Sequence, residues 1–338
     1  MNTTQIVFTK PCTAELLDAT CSLPEKDEVT VQLAYSAISA GTEKANLIGM
    51  RNGPAIAEGA EAHFPRAVGY SAAGIVTDVG SGVDDIQIGD RVIVYWGLHK
   101  KNITIKRKNV VKIPDEVTLQ EASMAFISTF PLAAIRKTKL EIGESALVMG
   151  LGPLGIFAVQ ELKAAGAYPV IAVDPIKERR DFALRLGADF ALDPMDEEFY
   201  NSVHRLSDGG VNVCIEVTGL GIGLIQALEC MKRMGRIALL GCTRSSKFEI
   251  DYYGKVHGRG ISLIGAHTVA RPETESAPGL WTHTDDLHAI LNLIKGKRLN
   301  FKDMICEIHS PAEAPLVYAR LAEEKNFPIG VLFDWGAL

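Results

Sequence analysis

The stretch Ser145-Ala-Leu-Val-Met-Gly-Leu-Gly-Pro-Leu-Gly155 decides the fold. Its first five residues are mostly apolar and predict a buried parallel strand. Three glycines follow with G-x-G-x-x-G spacing, and a helix-length apolar run then extends from Ile156 to Gly166. A second apolar run, residues 169–173, ends at Asp174. This order of strand, glycine loop, helix and strand is typical of a dinucleotide-binding α/β fold.

Each part of the glycine loop has a chemical role in holding a pyrophosphate. The first glycine turns the chain sharply, the second lets the backbone approach the phosphates, and the third lets the helix pack on the strand. The helix N-terminus adds free N–H groups and a positive dipole end. The expected loop residues are Gly150, Gly152, Pro153, Leu154 and Gly155. A glycine-rich turn in another α/β protein, or a methyltransferase, are the alternatives that this pattern leaves open.

The choice between NAD and NADP depends on the end of the second strand. Asp174, about 20 residues beyond the glycine loop, is placed to accept hydrogen bonds from ribose hydroxyls and would repel a 2′-phosphate. Lys177, Arg179 and Arg180 follow, and a basic side chain here could instead neutralise that phosphate. These basic residues lie on an expected helix and are more simply interpreted as solvated. We therefore expect NAD, with Arg179 among its contacts, and keep NADP as the alternative.

Composition sets outer limits on function. The 338 residues are enough for two domains, and 47% hydrophobic with 22% charged residues is ordinary for a globular protein. The net charge of −6 gives no general attraction to nucleic acid or to anionic membranes. Six cysteines include no C-x-x-C pair, and no signal peptide is evident. We expect a cytoplasmic protein that acts on a small molecule, without nucleic-acid or membrane partners.

The first third of the chain predicts short strands separated by turns. Residues 29–35 alternate with period two, and further strand patterns follow at 74–80, 89–95, 103–106 and 110–114. Helical patterning begins where Thr118-Leu-Gln-Glu121 forms a capping box. Strands at this spacing indicate a compact barrel or sandwich that precedes the α/β region.

Four stretches resemble the medium-chain dehydrogenase/reductases. They are Val68-Gly-Tyr-Ser-Ala-Ala-Gly-Ile-Val-Thr-Asp-Val-Gly80, Ile88-Gly-Asp-Arg-Val92, Ile113-Pro-Asp-Glu-Val-Thr118 and the glycine loop. The resemblance implies an α/β protein with a GroES-like β-barrel domain, residues 1–120 and 267–338, and a Rossmann domain with a doubly wound parallel sheet, residues 121–266. It also implies that Thr218, Gly241, Gly265 and His267 lie along the nicotinamide half of the cofactor.

Two loops without a regular pattern are expected to shape the substrate pocket. These are residues 47–66 and residues 267–283. The second contains Arg271 and Trp281, which suit either a pocket cover or a contact between subunits. We expect a homodimer.

The departures from the family pattern concern zinc. Where zinc-containing members place cysteine and histidine ligands, this chain has Ala40 and Tyr70, and the third ligand position falls near Ala125 or Phe126. Catalytic zinc needs three protein ligands and an open position. We therefore expect no metal. The segment Ser39-Ala-Gly-Thr-Glu43 and the Ala-His-Thr turn resemble the zinc-lacking branch around bacteriochlorophyllide dehydrogenases.

Without zinc, side chains must handle the proton. Thr42 matches the family's hydroxyl that contacts the substrate oxygen, and Tyr70 would direct its phenol toward the same space. Glu43 matches the acid that supports the lost histidine, and His99 lies in a segment that resembles the family's Gly-Gly-His-Ala. Ser39 is a weaker candidate. Tyr70 as a packing residue, Thr42 as a turn hydroxyl and His99 as a structural residue are the alternatives.

These residues predict a zinc-independent oxidoreductase that transfers a hydride between NAD(H) and a secondary alcohol or ketone. An NADPH-dependent reductase of quinones or activated alkenes needs no metal either, because its substrate is already electrophilic. A dinucleotide-binding redox sensor without turnover is the third possibility. The sequence does not identify the substrate.

Overall fold

The computed structural model describes residues 1–50, 63–242 and 247–338. The middle of the expected substrate loop 47–66 therefore lies outside the described residues. The strands are β1 (Asn2–Lys10), β2 (Thr13–Thr20), β3 (Glu28–Ala37), β4 (Arg66–Ala67), β5 (Ser71–Val79), β6 (Arg91–Tyr95), β7 (Asn102–Lys106), β8 (Val110–Lys112), β9 (Ala146–Met149), β10 (Val170–Val173), β11 (Phe190–Leu192), β12 (Val211–Glu216), β13 (Met231–Leu239), β14 (Ser262–Gly265), β15 (Ile305–His309) and β16 (Gly330–Asp334). The helices are α1 (Ala40–Leu47), α2 (Leu119–Thr138), α3 (Pro153–Ala164), α4 (Lys177–Arg185), α5 (Phe199–Leu206), α6 (Gly221–Cys230), α7 (His283–Lys295) and α8 (Ala314–Glu323).

The chain divides into two compact units. The first unit contains Met1–Ile127, Leu287–Lys297 and Phe301–Leu338, and the second contains Ser128–Asp286 and Arg298–Asn300. Two of the four boundaries fall inside α2 and α7, and the other two flank residues 298–300. Segment 267–286, which we assigned by sequence to the barrel domain, is thus grouped with the second unit. Across the described residues, no helix is both long and apolar enough to span a membrane.

The first unit is built from two sheets. One has the strand order β2-β1-β4, and the other has the order β15-β16-β3-β5-β6-β8, with β7 paired to β3. All pairs are antiparallel except β15 with β16. Alternating apolar residues of the strands, among them Phe8, Val31 and Phe333, are buried in a common core. The C-terminal strands thus pack with strands from the start of the chain.

Helix α1 corrects the prediction of strands and loops alone between residues 6 and 114. The helix was missed because Gly41 and Asn46 are poor helix formers. Burial of Ala45 and Leu47 in the first unit's core stabilises it instead. As a result, Ser39 lies at the N-cap and Thr42 lies in the first helical turn, where we expected a loop.

The second unit contains one fully parallel sheet with the strand order β11-β10-β9-β12-β13-β14. Numbered within the unit, this is the order 3-2-1-4-5-6, the arrangement of dinucleotide-binding folds. Helices α3, α4, α5 and α6 connect the first five strands in turn. The order reverses between β9 and β12, and ligands of such sheets bind beside that point, at the carboxyl ends of the strands.

Candidate functional site

The glycine loop lies between β9 and α3, at the carboxyl edge of the parallel sheet. Gly150 has a φ of +98°, in the left-handed region that favours glycine. A Cβ at Gly155 would lie 2.0 Å from the carbonyl oxygen of Gly150, so only glycine allows this close packing of helix on strand. A Cβ at Gly152 would meet no atom within 4 Å. The loop therefore has open space at the position that the fold reserves for phosphate.

Asp174 follows β10 and organises the same loop. Its carboxylate accepts hydrogen bonds from the backbone N–H of Leu151 (2.8 Å) and of Ile176 (2.9 Å). Nη1 of Arg179 lies 3.8 Å from Asp174 Oδ2. The side chain is 5% exposed, but a carboxylate has about four acceptor positions and can still receive ribose hydroxyls. Asp174, the residue expected to bind the ribose, thus also stabilises the glycine loop through its hydrogen bond from Leu151.

Glu216, which the sequence analysis did not single out, shapes the edge beside β12. This buried last residue of β12 accepts hydrogen bonds from the backbone N–H of Thr218 (2.8 Å) and of Gly219 (3.2 Å), and from the Thr218 hydroxyl. Burial raises the pKa of Glu216, and these hydrogen bonds oppose the rise. A buried acid directly after an apolar strand run was the available signal.

Thr218 packs against the glycine loop at the same edge, and Gly241 packs against Gly219 beside it. The Thr218 methyl group would lie 2.9 Å from a Cβ on Gly150, and a Cβ on Gly241 would lie 2.2 Å from the backbone nitrogen of Gly219. Gly265 ends the neighbouring strand β14, and His267 follows it as an exposed side chain. The structure thus places the expected nicotinamide-side residues at the ends of three adjacent strands.

In the first unit, Tyr70 lies against the start of α1. Its hydroxyl donates a short hydrogen bond to Ser39 Oγ and is also hydrogen-bonded to the Thr42 side chain. The structure therefore brings together three hydroxyl groups that are up to 31 residues apart in sequence. Burial raises the pKa of Tyr70 above its usual value, and nearby Glu43 adds to the rise, whereas the two hydroxyl partners oppose it. The phenol therefore remains protonated at neutral pH.

Glu43 and His99 lie behind this hydroxyl cluster in a buried polar network. The carboxyl group of Glu43 accepts hydrogen bonds from the backbone N–H of Ser39 (2.9 Å) and from the Tyr318 hydroxyl (2.5 Å). His99 Nε2 lies 3.2 Å from Glu43 Oε2, and His99 Nδ1 lies 2.7 Å from Ser36 Oγ. Glu43 and His99 are 1% and 0% exposed. Their geometry fits positioning of α1 better than contact with a substrate.

The network continues through residues that the sequence analysis missed. Trp335 Nε1 donates to Ser36 Oγ at 2.9 Å. An Nε2–H on His99 that donates to Glu43 leaves Nδ1 to accept from the Ser36 hydroxyl, so each group has a complementary partner. Burial and the Glu43 carboxyl raise the pKa of Tyr318, which keeps its hydroxyl a donor. No local signal links these residues, since Tyr318 lies 275 positions from Glu43.

An aromatic cluster surrounds the phenol. The Tyr70 ring lies 5.6 Å from the Trp96 ring and 6.0 Å from the Phe126 ring, measured between centroids. Tyr95 stacks on Phe126 at 4.9 Å, and Trp96 meets Phe126 edge to face at the same distance. These rings occupy the neighbourhood in which the family resemblance places zinc ligands.

The side chains present do not fit a catalytic zinc ion. By the family resemblance, two of the ligand positions hold the methyl group of Ala40 and the phenol of Tyr70, and the third falls near Ala125 or Phe126. Within the described parts of the chain, no three His, Cys, Asp or Glu side chains lie together as a metal site requires. The carboxyl group of Glu43 already accepts hydrogen bonds from Ser39 and Tyr318.

Comparisons with known proteins cover both units. Residues 25–115 match the model of the alcohol dehydrogenase GroES-like domain, and residues 153–281 match that of the zinc-binding dehydrogenases. L-Threonine 3-dehydrogenase of Pyrococcus furiosus is 30% identical over 236 residues, which is 60% of this chain and 66% of that protein. The enzyme of the same name from Thermococcus kodakarensis is 30% identical over 274 residues, which is 71% of this chain and 73% of that protein.

Two further proteins extend the match. D-Guloside 3-dehydrogenase of Escherichia coli is 26% identical over 272 residues, 79% of this chain and 77% of that protein. The crystal structure of 2R,3R-butanediol dehydrogenase from Bacillus subtilis superimposes with a TM-score of 0.83 at 21% identity, over 98% of this chain and 99% of that one. The predicted fold class, a GroES-like domain with a Rossmann-type parallel sheet, is confirmed. The chain belongs to the medium-chain dehydrogenase/reductase superfamily of oxidoreductases.

Proposed function

We propose that this chain is an NAD-dependent oxidoreductase that interconverts a secondary alcohol and a ketone without zinc. The observation that carries the proposal is the Tyr70 phenol, hydrogen-bonded to Ser39 and Thr42 at a position where the family places a zinc-binding histidine. This cluster supplies proton-donating hydroxyls where zinc would otherwise polarise the substrate oxygen.

The proton chemistry follows from the protonated state of Tyr70. When bound, a nicotinamide cofactor supplies or accepts the hydride. In the direction of reduction, the carbonyl carbon gains a hydride, and the electron pair that shifts to its oxygen takes the proton from the Tyr70 phenol. The resulting phenolate is stabilised by hydrogen bonds from Ser39 and Thr42 until a proton returns from solvent. Oxidation is the reverse and requires the phenolate as base.

The names of relatives support an alcohol substrate. L-Threonine and (R,R)-butanediol carry a secondary hydroxyl, and a D-guloside carries several, one of them at carbon 3. We assign this chain to secondary alcohols as a class. The homodimer, the cytoplasmic location, and the absence of nucleic-acid and membrane partners stay predictions.

Zinc independence is tested by metal removal. We expect purified protein dialysed against 1,10-phenanthroline to keep its rate of NAD-linked oxidation on a panel of secondary alcohols, because no step depends on a Lewis acid. Elemental analysis of the same sample should show no stoichiometric zinc. Loss of activity that added zinc restores would refute the proposal. Turnover confined to quinones or activated alkenes would favour the reductase alternative.

Cofactor choice is tested by fluorescence titration with NADH and NADPH. We expect NADH to bind at least about tenfold more tightly, because the Asp174 carboxylate repels a 2′-phosphate. The nearby cations are already engaged: Lys177 pairs with Asp181 at 2.6 Å, and Arg180 with Asp193 at 3.0 Å. Asp174→Asn should narrow the preference for NADH over NADPH, since it removes the charge; it also removes one of the two acceptors for the Leu151 and Ile176 N–H groups, so both cofactors should bind less tightly.

The control for that titration is Gly152→Val, which fills the open space over the loop. This variant should weaken the binding of NADH and NADPH to a similar degree. The protein should remain folded, because no atom lies within 4 Å of the added Cβ. Tighter binding of NADPH than of NADH by the unmodified protein would overturn the role of Asp174.

A further inference from the structure

Trp96 stands out beside the hydroxyl cluster of the first unit. Its φ is +56°, a left-handed conformation that bulky residues rarely adopt. Strained backbone of this kind persists only where its surroundings fix it, and it concentrates at functional sites. Here the Trp96 N–H donates to the Tyr70 carbonyl oxygen at 3.0 Å, which ties the strained residue to the residue that carries the phenol.

The Trp96 ring is fixed by its neighbours and is not buried by them. It packs edge to face on buried Phe126 at 4.9 Å, and its centroid lies 5.6 Å from that of Tyr70. The residue nevertheless remains 43% exposed. A tryptophan with only a packing role would bury this apolar surface, because burial stabilises the folded protein by about 25 cal/mol per Å² of apolar surface. The exposed part is therefore available to a ligand.

The chemistry of the surroundings defines that ligand. Tyr70, whose ring is a neighbour of Trp96, is hydrogen-bonded to Ser39 and Thr42, and these hydroxyls can exchange hydrogen bonds with substrate hydroxyls. An indole face carries negative potential and attracts the C–H-lined face of a saturated ring. A compound with both features, a flat C–H face and several hydroxyls, is a sugar in its ring form. An open-chain polyol has the hydroxyls without the face.

We propose that Trp96 is the stacking platform for a pyranose ring, so that the substrate is a glycoside or cyclic polyol rather than an open-chain polyol. This inference rests on the proposed function, since it assigns the substrate class of the same site. Trp96 acts here as a specificity residue, and proton transfer remains with Tyr70.

The test is calorimetric titration of the NADH-loaded protein with methyl pyranosides of the common hexoses, the corresponding open-chain hexitols and 1-phenylethanol. We expect the pyranosides to bind best. Trp96→Leu keeps apolar volume without a π face. It should weaken the binding of pyranosides about tenfold and leave the affinities for hexitols and NADH unchanged. Trp96→Phe should retain part of the preference for pyranosides over hexitols, because it keeps an aromatic face.

Several outcomes would overturn the inference. These are equal binding of pyranosides and hexitols, binding of neither, stronger binding of 1-phenylethanol, or an equal effect of Trp96→Leu on rings and open chains. Binding is measured without turnover, so it separates the two proposals. Pyranoside binding that depends on Trp96, without NAD-linked oxidation of any alcohol, would refute the proposed reaction and retain the ring site.

Discussion

Replacing Tyr70 with phenylalanine should lower kcat for carbonyl reduction by about 10²–10⁴-fold, the usual contribution of a positioned general acid. The phenol is the acid of the hydroxyl cluster, and the substitution removes its oxygen while the ring stays between Trp96 and Phe126. The Kd for NADH should change little, and loss of the hydrogen bonds to Ser39 and Thr42 should cost about 1 kcal/mol of stability, as in the control variant. Stopped-flow measurement of NADH oxidation under single-turnover conditions checks the chemical step directly.

Tyr95→Phe is the matched control for Tyr70→Phe. Tyr95 is a buried tyrosine of the same aromatic cluster, and its hydroxyl donates to the backbone carbonyl of Lys108 instead of to the hydroxyl cluster. Its removal should cost about 1 kcal/mol of stability and leave kcat unchanged. Equal losses of kcat in the two variants would assign the effect on Tyr70 to packing, which is the alternative role for this residue.

The pH dependence follows from the raised pKa of Tyr70. Since the pKa of Tyr70 lies above the usual tyrosine value of about 10, the phenol stays protonated at every pH below that value. Tyr70 should therefore cause no decline in the reduction rate below about pH 10. Oxidation uses the deprotonated form, so kcat for oxidation should rise about tenfold per pH unit over the same range. Tyr70→Phe should abolish this slope. A slope that persists in the variant would identify a different base.

The sequence predicted the second unit well because its determinants are local. The strand, glycine loop and helix are contiguous, and the demand for glycine at position 155 is set within the loop itself, where a Cβ would lie 2.0 Å from the carbonyl oxygen of Gly150. Parallel strands of apolar residues then follow one another in order. The position of Asp174 at the end of β10 was predictable for the same reason.

The first unit was less predictable because distant contacts determine it. Helix α1 lacks strong helix formers and depends on core burial and on the contacts of Glu43 with residues as far along the chain as Tyr318. The exposed, strained conformation of Trp96 likewise has no sequence signal, since the residue follows an ordinary strand pattern. The candidate residues Thr42, Glu43 and Tyr70 came from family resemblance, and only the structure shows that Glu43 and Tyr70 are hydrogen-bonded to Ser39 and that Thr42 is hydrogen-bonded to Tyr70.

Glu161 is a buried acid that neither the sequence analysis nor the proposed chemistry explains. It lies on α3 and is 2% exposed, and within the described residues neither of its carboxyl oxygens has a hydrogen-bond partner. The neighbouring guanidinium groups pair with Asp286, which is also buried, and not with Glu161. Arg136 Nε lies 2.9 Å from Asp286 Oδ1, and Arg271 Nη1 lies 3.0 Å from Asp286 Oδ2. Burial raises the pKa of Glu161 well above its usual value, the negative charge of Asp286 raises it further, and Arg136 opposes the rise.

Glu161→Leu should therefore stabilise the protein, by about 1–3 kcal/mol for removal of an unsatisfied buried polar group alone. The sign of the pH effect follows from linkage: a carboxyl group with a raised folded-state pKa holds its proton in the folded state, so stability falls as pH rises above the unfolded pKa of about 4.3. The slope approaches about 1.4 kcal/mol per pH unit until the folded pKa is passed. The gain from Glu161→Leu should thus be larger at pH 7 than at pH 4.5.

Urea unfolding of the wild type, Glu161→Leu and Glu161→Gln across this pH range checks both parts of that prediction. Glu161→Gln removes the titration and keeps a buried polar group, so it should flatten the pH dependence as far as Glu161→Leu does while giving a smaller gain in stability. Parallel pH profiles for all three proteins would mean that Glu161 has the same pKa in the folded and unfolded states. A destabilised leucine variant would instead show that the carboxyl group satisfies a partner such as a buried water molecule, whose loss outweighs the removed desolvation cost.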